Sequence, residues 1–409
     1  MRHLFQFVFF YPFFMALFWI VGSLVFYWRR ERRRHQPPAL DAYPQVTVLI
    51  PCHNERITIE QVVRAAAAST YPHFDILVID DASTDESPAT LERLLAEIPN
   101  LRVLRLERNL GKAKALSLGA LATKAEYLMC IDADALLDAE AIHWMVFDLE
   151  RSPRVGAVTG NPRVLNRTTL VSRIQVGEFS AIIGMIKRTQ RLLGRVYTVS
   201  GVCSCFRHRA VHEVGYWSSQ TVTEDVDISW KLQLAYWGIL YEPRAVCWIL
   251  VPESLRGLWR QRLRWARGGI EAALCHNRSM FHWARRRMWP VFAELMVSTA
   301  WCYAVFLVLV AWILTQVIPA WMPSSLQVAT LLPGWSGSLL AMVCLLQFLT
   351  GLVLDRRYER HHLLRQIFWA IWYPALYWVI TAGTSVVALP LALRHHGRTG
   401  HAVWRSPDR

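Results

Sequence analysis

This sequence of 409 residues gives little support for a disulfide framework or a sulfur-rich metal site. Its 8 cysteines are scattered, and Cys203 and Cys205 form the only close pair. A structural zinc site would need a second such pair, or histidines at ligand spacing. We therefore expect reduced cysteines that lie in the cytosol or are buried in a membrane.

A phosphate-binding loop of the ATPase type is also missing. That loop needs a glycine five residues before a Gly-Lys pair and a serine or threonine after the lysine. Around Gly111 and Lys112 these positions hold Leu106 and Ala113. The mismatch disfavours an ATPase or an ATP-driven transporter, and we expect Lys112 to lie on a solvated face.

Nucleic acid is not an expected partner, although the formal net charge is +14. No segment resembles a motif that combines a basic groove with stacking aromatic residues. The basic residues cluster beside apolar stretches instead, as in the run 29–34. That arrangement is typical of cytoplasmic loops next to membrane spans.

Charge is absent from residues 4–28, a run long enough to cross a membrane. About 20 apolar residues span the hydrocarbon core. A signal peptide would have a shorter apolar core followed by small residues at a cleavage site, whereas arginines follow here. With those arginines in the cytoplasm, Met1 is expected outside. The hydrophobic fraction of 54% and the mean hydropathy of +0.22 fit a membrane protein with a soluble part.

The C-terminal part of the chain is predicted to return to the membrane. Residues 291–318 and 335–354 have the length and composition of two spans, joined by the uncharged loop 319–334. The charged loop 355–366 that follows them is expected in the cytoplasm.

Two segments near the membrane are harder to place. A third apolar segment, 367–393, would as a simple span leave the basic tail 394–398 outside, against the positive-inside tendency. Either this segment is re-entrant or the tail breaks the tendency. Residues 249–267 mix apolar side chains, tryptophan and arginine, and an amphipathic helix in the membrane interface is favoured over an ordinary surface helix.

Between the membrane segments, apolar runs with strand character alternate with helical patterns. This alternation predicts an α/β domain with a doubly wound, mostly parallel sheet. Three of the strands end in polar clusters, which indicates a ligand crevice across the carboxyl ends of the strands. The predicted strands are 46–50, 76–79, 101–106 and 127–131, and the predicted helices are 59–69, one that ends near Leu94 and one that follows Asn109.

The predicted strand 127–131 leads directly into Asp132 and Asp134. If the chain stays extended there, the two carboxylates lie on one side, roughly 6–7 Å apart. One or two carboxylates completed by phosphate oxygens suit a hard divalent cation. A solvated turn after a strand is the alternative for this pair taken alone.

Three other polar motifs have a structural and a functional interpretation. The Asp80-Asp81 pair and the segment 223–225 could be helix-capping turns, because aspartate and threonine cap helices well. The segment 261–265 ends in arginine and tryptophan, which could anchor the domain at the membrane boundary. The occurrence of all these motifs in one chain, between membrane spans, favours the functional interpretation.

Together the motifs resemble the processive inverting glycosyltransferases of family two, which include cellulose, chitin and hyaluronan synthases. The resemblance covers nearly the whole chain and implies a GT-A-like domain. The segments that carry it are Asp80-Asp81, Asp132-Ala-Asp134, 158–163, 174–178, 187–191, 223–231 and 261–265.

The resemblance implies a donor site for a UDP-sugar. Asp81, together with Asp80, would accept hydrogen bonds from the uracil or the ribose. Asp132 would lie near the ribose and the metal. Asp134 would bind Mg²⁺ or Mn²⁺ directly, and the metal would offset charge on the leaving UDP.

The resemblance also implies the groups that act on the acceptor. Asp225 matches the general base that takes a proton from the attacking sugar hydroxyl, with Glu224 beside it in the catalytic set. Arg264 would bind the diphosphate with its planar guanidinium, and Trp265 would stack on a sugar face. The substrate-binding residues of these two motifs are Thr223, Gln261, Arg264 and Trp265.

Within the family, the segments are most similar to those of enzymes that polymerise N-acetylglucosamine. This implies transfer from UDP-N-acetylglucosamine to a growing glycan chain, giving a β-1,6-linked exopolysaccharide of the biofilm matrix that is exported across the bacterial inner membrane. Relatives work with a small membrane partner subunit and respond to cyclic di-GMP. The alternatives are a hyaluronan, chitin or cellulose type of synthase, a single transfer to a lipid carrier, and a transporter or channel with a nucleotide-sensing domain.

The expected architecture is a cytoplasmic GT-A-like α/β domain, with a doubly wound, mostly parallel sheet, joined to a transmembrane helix bundle. Residues 1–35 would form the first membrane helix and its basic flank. Residues 36–270 would form the glycosyltransferase domain with interfacial helices. Residues 271–409 would form the C-terminal bundle and the basic tail.

Overall fold

The chain begins with a long apolar helix. Helix α1, Arg2–Phe26, continues as a π-helical turn over Tyr27–Glu31. The combined helix of 30 residues is long and apolar enough to cross a membrane, which confirms the first predicted span. The computed structural model describes residues 2–33, 36–328, 330, 334–359, 363, 367–370 and 373–395.

Eight strands form a single sheet in the part of the chain that the structure describes. All four predicted strands are among them. The strands are β1 Val46–Cys52, β2 Phe74–Asp80, β3 Leu101–Arg105, β4 Tyr127–Ile131, β5 Ala135–Leu137, β6 Val155–Val164, β7 Cys203–Arg207 and β8 Gly238–Ile249.

The strand order across the sheet is β3-β2-β1-β4-β7-β6-β8-β5. The half formed by β3, β2, β1 and β4 is parallel, as predicted. In the other half, β7 is antiparallel to β4 and to β6, β6 and β8 are parallel, and β5 is antiparallel to β8. The mostly parallel, doubly wound pattern therefore describes the first half, and the second half is mixed.

Helices follow or connect the strands. The predicted helix at 59–69 is confirmed and ends slightly earlier. A π-helical segment, Phe179–Gly184, joins α6 to α7. The helices of this part are α2 Ile59–Ala67, α3 Ser87–Glu97, α4 Lys112–Leu121, α5 Ala141–Glu150, α6 Leu170–Glu178, α7 Met185–Leu193, α8 His208–Glu213, α9 Glu224–Leu234 and α10 Leu255–Met280.

The helices cover both faces of the sheet. Val48 of β1 packs in one buried cluster with residues of α2, α3 and α5. Leu49, the next residue, points to the other face and packs with residues of α4 and α9. Since both faces are covered, all seven residues of β1 are buried, as in parallel sheets generally.

Two further apolar helices confirm the spans that the sequence predicts after residue 290. They are α11, Trp289–Val317, preceded by a 3₁₀ turn over Trp283–Met288, and α12, Gly334–Asp355. With α1, they make three helices in the described residues that are long and apolar enough to cross a membrane.

The last apolar segment forms α13, Ile367–Ala370, and α14, Tyr373–His395. Its apolar part, 378–394, is shorter than the three candidate spans, so the re-entrant and the spanning alternatives both stay open. Helix α14 packs along α10, where Ala388 and Ala392 contact Ile270. The tail 396–409, and parts of the loops 319–334 and 355–366, lie outside the described residues.

Helix α10 begins at Leu255 and therefore covers only residues 255–267 of the segment 249–267 that is predicted to lie in the membrane interface. Ile249 is the last residue of β8, and α10 continues beyond the segment to Met280. The helix also runs without interruption across the expected domain division after residue 270. Its contact with α14 brings the α/β domain and the apolar helices together. The interfacial position itself stays a prediction.

A buried network of charges joins the α/β domain to the ends of α1 and α12. Arg188 of α7 donates to Glu31 at 2.9 Å and to Asp355 at 2.7 Å. Arg163 of β6 donates to the same Asp355 and to Glu359. The side chains of Arg188, Glu31 and Asp355 are fully buried. Since Glu31 and Asp355 meet at one arginine, the basic run after α1 and the charged loop after α12 lie on the side of the α/β domain.

We expect Glu31→Leu to destabilise the protein strongly. The substitution leaves Arg188 buried with one carboxylate instead of two, and removal of one partner from a buried ion pair costs about 3–5 kcal/mol. Thermal unfolding in one detergent should show a clear fall in Tm. Glu86→Leu, which removes the exposed Arg56–Glu86 pair, is the control and should barely change it. Equal Tm values for the two variants would contradict the role of the network.

Candidate active site

The polar ends of neighbouring parallel strands meet at one edge of the sheet. β2 ends at Asp80, and Asp81 follows it. Asp81 is fully buried, and its two carboxylate oxygens accept hydrogen bonds from the backbone amides of Leu110 at 2.7 Å and Gly111 at 2.8 Å. In this structure Asp81 therefore holds the loop before α4, and a direct contact with a nucleotide base stays a prediction.

Asp80 is also nearly buried, and it accepts a hydrogen bond from the backbone amide of Ser83 at 3.0 Å. Helix α3 begins later, with Glu86 at its N-cap. The Asp80-Asp81 pair is thus not the helix cap that the sequence allowed as an alternative. It stabilises the loops at the carboxyl ends of β2 and β3.

Lys112, the first residue of α4, links two of the predicted motifs. Its Nζ lies 2.6 Å from Asp132 Oδ1 and 2.8 Å from Glu224 Oε1. Burial opposes its charge, but the two carboxylates more than compensate and raise the pKa of Lys112. The expectation of a solvated lysine is wrong, because the side chain is 17% exposed. Sequence reasoning missed this contact since the partners are far apart in the chain.

The turn after β4 differs from the extended geometry considered for Asp132 and Asp134. β4 ends at Ile131, and the amide of Ala135 donates to the carbonyl of Asp132 at 3.1 Å. The alternation of a strand therefore does not set the directions of the two carboxylates. Both still lie near Cys247, whose pKa is raised by its hydrogen bond with Cys203 and by burial, and less by the charges of Asp134 and Asp132.

Thr223, Glu224 and Asp225 form the start of α9. Thr223 occupies the N-cap position, but its side chain makes no capping hydrogen bond. Burial opposes the ionisation of Glu224, but Lys112 lowers its pKa. Burial and the charge of Glu224 raise the pKa of Asp225 to about 6. The pKa of Glu224 is thus lowered while that of the adjacent Asp225 is raised. A pair of carboxyl groups with different pKa values is typical of sites that do acid–base chemistry.

Gly201 leaves open space between the charged groups. A Cβ at this position would lie 3.3 Å from Lys112 Nζ and 3.4 Å from Asp225 Oδ2. Gly201, Glu224 and Asp225 line one small recess together with Ser200. A glycine therefore keeps the recess open where any other residue would narrow it.

Helix α10 brings Arg264 of the segment 261–265 near Glu224 and Asp225. Arg264 is exposed, and its charge adds to the effect of Lys112 that lowers the pKa of Glu224. It also opposes the larger effects of burial and Glu224 that raise the pKa of Asp225. Trp265 is half-buried against the domain core. The guanidinium of Arg262 lies 4.2 Å from the centroid of this indole and donates to buried Glu178 at 2.7 Å. Arg262 and Glu178 thus fix the indole, a role that the sequence did not reveal.

Two glycines of α10 allow the helix to approach the site closely. A Cβ on Gly268 would overlap the Thr223 side chain, and one on Gly269 would overlap the Tyr197 hydroxyl. Glycine costs about 1 kcal/mol relative to alanine inside a helix, so a pair needs a packing reason. Here the reason is direct contact between the backbone of α10 and the residues around Asp225.

Lys187 is a second buried cation near Asp225. Its Nζ contacts Thr159 Oγ1 at 3.2 Å, and the same oxygen accepts from the amide of Ser200 at 2.7 Å. Burial lowers the pKa of Lys187 to about 8, while the charge of Asp225 acts in the opposite direction. It lies in a segment that carries the family resemblance, but its role was not predicted.

The carboxylates near Lys112 provide the oxygen ligands that Mg²⁺ and Mn²⁺ prefer. The described residues contain no group of three or more His, Cys, Asp or Glu side chains arranged to hold a metal ion. Asp132 and Asp134 would therefore supply one or two ligands, and substrate phosphates and water would complete the shell. The donor set fits a hard cation that bridges protein and phosphate.

The sequence matches a known enzyme family over more than half of its length, and named relatives over nearly its full length. A family model described as glycosyltransferase like family 2 matches residues 44–268. Poly-beta-1,6-N-acetyl-D-glucosamine synthase of Staphylococcus epidermidis is 37% identical over 416 residues, which cover 100% of this chain and 98% of the relative. The synthase of the same name from Staphylococcus aureus (strain COL) is 39% identical over 412 residues, which cover 99% and 98%.

The fold also matches a solved structure. Mannosyltransferase PcManGT from Pyrobaculum calidifontis, in complex with GDP-Man and Mn²⁺, superposes with a TM-score of 0.61 at 19% identity. The match covers 94% of this chain and 98% of that one. At this identity the likeness shows the fold, and it confirms the expected GT-A-like architecture.

We expect Lys112→Gln to make the folded protein more sensitive to divalent cations. The variant leaves Asp132 and Glu224 without their shared counter-charge, at a cost of about 1–3 kcal/mol. Its Tm should fall in metal-free buffer and then rise more on addition of MnCl₂ than the Tm of the unmodified protein. Lys124→Gln, at an exposed position, is the control. An identical response of both variants would contradict the bridging role of Lys112.

Proposed function

Because the chain belongs to the glycosyltransferase-like family 2, we propose that it polymerises N-acetylglucosamine from UDP-N-acetylglucosamine into a β-1,6-linked glycan. The main support is the full-length similarity to two enzymes named for that polymer. The cationic and anionic groups around Asp225 agree with this reaction class. The chain is a glycosyltransferase; the donor, the linkage and the export step belong to the proposal.

Asp225 is the proposed general base. An acceptor hydroxyl is a poor nucleophile until a positioned carboxylate takes its proton during attack. The new bond forms at the anomeric carbon while the bond to UDP breaks on the opposite side, so an α-linked donor gives a β-linked product. A raised pKa suits Asp225 for this task, because it makes the carboxylate a stronger base.

The leaving diphosphate needs positive charge. Arg264 is exposed, its charge acts on Glu224 and Asp225, and its planar guanidinium can bind phosphate oxygens. Lys112 lies at the start of a helix, where the backbone amides also favour an anion. When Mg²⁺ or Mn²⁺ is bound, with Asp134 as its proposed ligand beside Asp132, it offsets charge on the departing UDP.

Trp265 is the proposed platform for the acceptor sugar. Arg262 and Glu178 hold its indole in place on α10, and the next turn of that helix contacts Thr223. Stacking holds a sugar ring without fixing one set of hydrogen bonds. A growing chain can therefore advance by one unit after each transfer.

Export would begin beside the base. Tyr197 is buried and lies near both Asp225 and Glu294 of α11, whose charges act on it. Gln190 accepts from the Tyr197 amide at 2.9 Å and donates to Glu294 at 3.3 Å. A carboxylate inside an apolar helix is costly and usually functional. We place the start of the glycan path along these side chains.

The proposed setting is the bacterial inner membrane, with several membrane passes and the α/β domain in the cytoplasm. A small membrane partner subunit and regulation by cyclic di-GMP are part of the proposal, since the family resemblance implies them. The three apolar helices and the side shared by Glu31 and Asp355 support this arrangement.

Membranes that contain the chain should convert labelled UDP-N-acetylglucosamine into a polymer whose linkage analysis gives β-1,6 bonds. Asp225→Asn should lower the rate by about 10²–10⁴, the usual contribution of a general base. UDP binding, measured by calorimetry, should be unchanged because the base acts on the acceptor. The rate should rise as pH rises through about 6, since only ionised Asp225 accepts a proton.

Two results would contradict this assignment. Loss of UDP binding in folded Asp225→Asn would place this carboxylate in the donor site. A hyaluronan, chitin or cellulose type of product, or one sugar on a lipid carrier, would keep the family and overturn the proposed polymer.

Trp265→Ala should shorten the polymer or reduce its amount while UDP affinity stays the same. Arg264→Ala should instead weaken UDP affinity about tenfold or more, because a charge-assisted hydrogen bond contributes about 1.5–3 kcal/mol. Trp259→Ala removes another indole of α10, one that contacts Gly383, and serves as the matched control. Polymer of normal length and rate from Trp265→Ala would reduce Trp265 to a membrane anchor.

A further inference from the structure

The connection between α10 and α11 carries a group of arginines that lack carboxylate partners. The 3₁₀ turn Trp283–Met288 contains Arg285, Arg286 and Arg287 in succession. Arg285 and Arg286 donate to the backbone carbonyls of Ser279 and Trp283 at 3.3 Å. In the described residues no ion pair joins any of the three to an acidic side chain. Their charge is therefore not neutralised by the protein around them.

Arg195 faces this turn and adds a like charge. It follows Gly194, whose left-handed backbone, φ 78°, ends α7. Burial and the nearby charge of Arg287 lower the pKa of Arg195. Its Nη1 donates to the carbonyl of Gly194 at 2.9 Å, but its buried Nε has no hydrogen-bond partner in the described part of the chain. A buried donor without a protein partner, beside a second guanidinium, is a favourable place for an anion that accepts hydrogen bonds.

The surroundings of these arginines are apolar and exposed. Phe281 and Trp283 are each 69% exposed, and Leu193 is 60% exposed. The Trp283 ring packs edge-on against Trp289 at 5.6 Å, and Arg286 lies 5.1 Å from its centroid. This is the first turn of the candidate span Trp283–Val317. Tryptophan and arginine at the end of a span lie at the depth of lipid headgroups.

We propose that Arg195 and Arg287 bind the phosphate of an acidic phospholipid headgroup, with Phe281 and Trp283 beside its glycerol and acyl region. Two neighbouring guanidiniums without carboxylate partners in the described residues suit phosphate oxygens. The exposed aromatic rings suit the membrane boundary. A soluble phosphate would use the arginines but would gain nothing from the rings. The lipid headgroup is therefore the ligand that both parts of the surface fit.

The headgroup would also brace a segment near the active site. Arg195 lies two residues before Tyr197, whose backbone contacts Gln190 and Trp230. The bound lipid would hold the end of α7 against the start of α11. This binding site is independent of the donor sugar, so its test does not depend on the proposed polymer.

The test uses the full chain in nanodiscs of phosphatidylcholine with a minor fraction of phosphatidylglycerol. Lipids retained after extraction are counted by native mass spectrometry. We expect enrichment of phosphatidylglycerol by the unmodified chain. Arg195→Gln and Arg287→Gln should each weaken its binding about fivefold, as for loss of about 1 kcal/mol per arginine near a charged surface.

Arg154→Gln is the matched control, since Arg154 is exposed at the start of β6, and it should keep the enrichment. Folding is monitored by UDP binding, which should be equal in all variants. Equal phosphatidylglycerol enrichment in Arg195→Gln, Arg287→Gln and Arg154→Gln would overturn the site. Displacement of the lipid by millimolar inorganic phosphate would overturn it as well, because the ligand would then be a soluble anion.

Discussion

The structure depends on charges buried where the α/β domain meets the apolar helices. Arg188 reaches Glu31 and Asp355, which end two different membrane-type helices. Without counter-charges this arginine could not be buried, and without the arginine the two carboxylates would repel each other. The stability of the α/β domain therefore depends on the positions of α1 and α12.

In the active site, too, buried charged groups are stabilised by groups of opposite charge. Lys112 pairs with both Asp132 and Glu224, while burial and the charge of Glu224 raise the pKa of Asp225. Arg264 and Lys187 add positive charge from α10 and α7. The site thus holds a base and several cations within one recess, an arrangement suited to a reaction in which a sugar hydroxyl loses a proton and a diphosphate leaves.

The sequence predicted those elements whose cause is local. The strands β1 to β4 are mostly apolar, and the three long spans contain hardly any charged residues, so composition located them. Lys112 was misjudged because its partner Glu224 is distant in the chain and no local pattern reveals it. The extended path considered through Asp132 and Asp134 gave way to a turn, since strand pairing ends at Ile131.

Other features could not be predicted from the sequence because they depend on contacts between residues that are far apart in the chain. The mixed half of the sheet follows from long-range pairings of β7 and β8, which periodicity does not encode. Asp81 was recognised as important, but its contacts with the amides of Leu110 and Gly111 depend on a loop about 30 residues later. Arg262 belongs to a recognised motif, yet its contact with Glu178 appears only when α6 and α10 meet.

The close contact at Gly268 and Gly269 of α10 sets the distance between Trp265 and the start of α9. Trp265 precedes Gly268 and Gly269 by about one helical turn, which is about 5.4 Å along the axis. Because Thr223 rests directly on the backbone at Gly268, the start of α9 and the indole share one rigid support. The distance between the proposed sugar platform and the base is thus set by about one turn of α10. Such a fixed distance would hold the terminal sugar of an acceptor of any length in one position, so that each cycle presents the same hydroxyl after the chain has moved on.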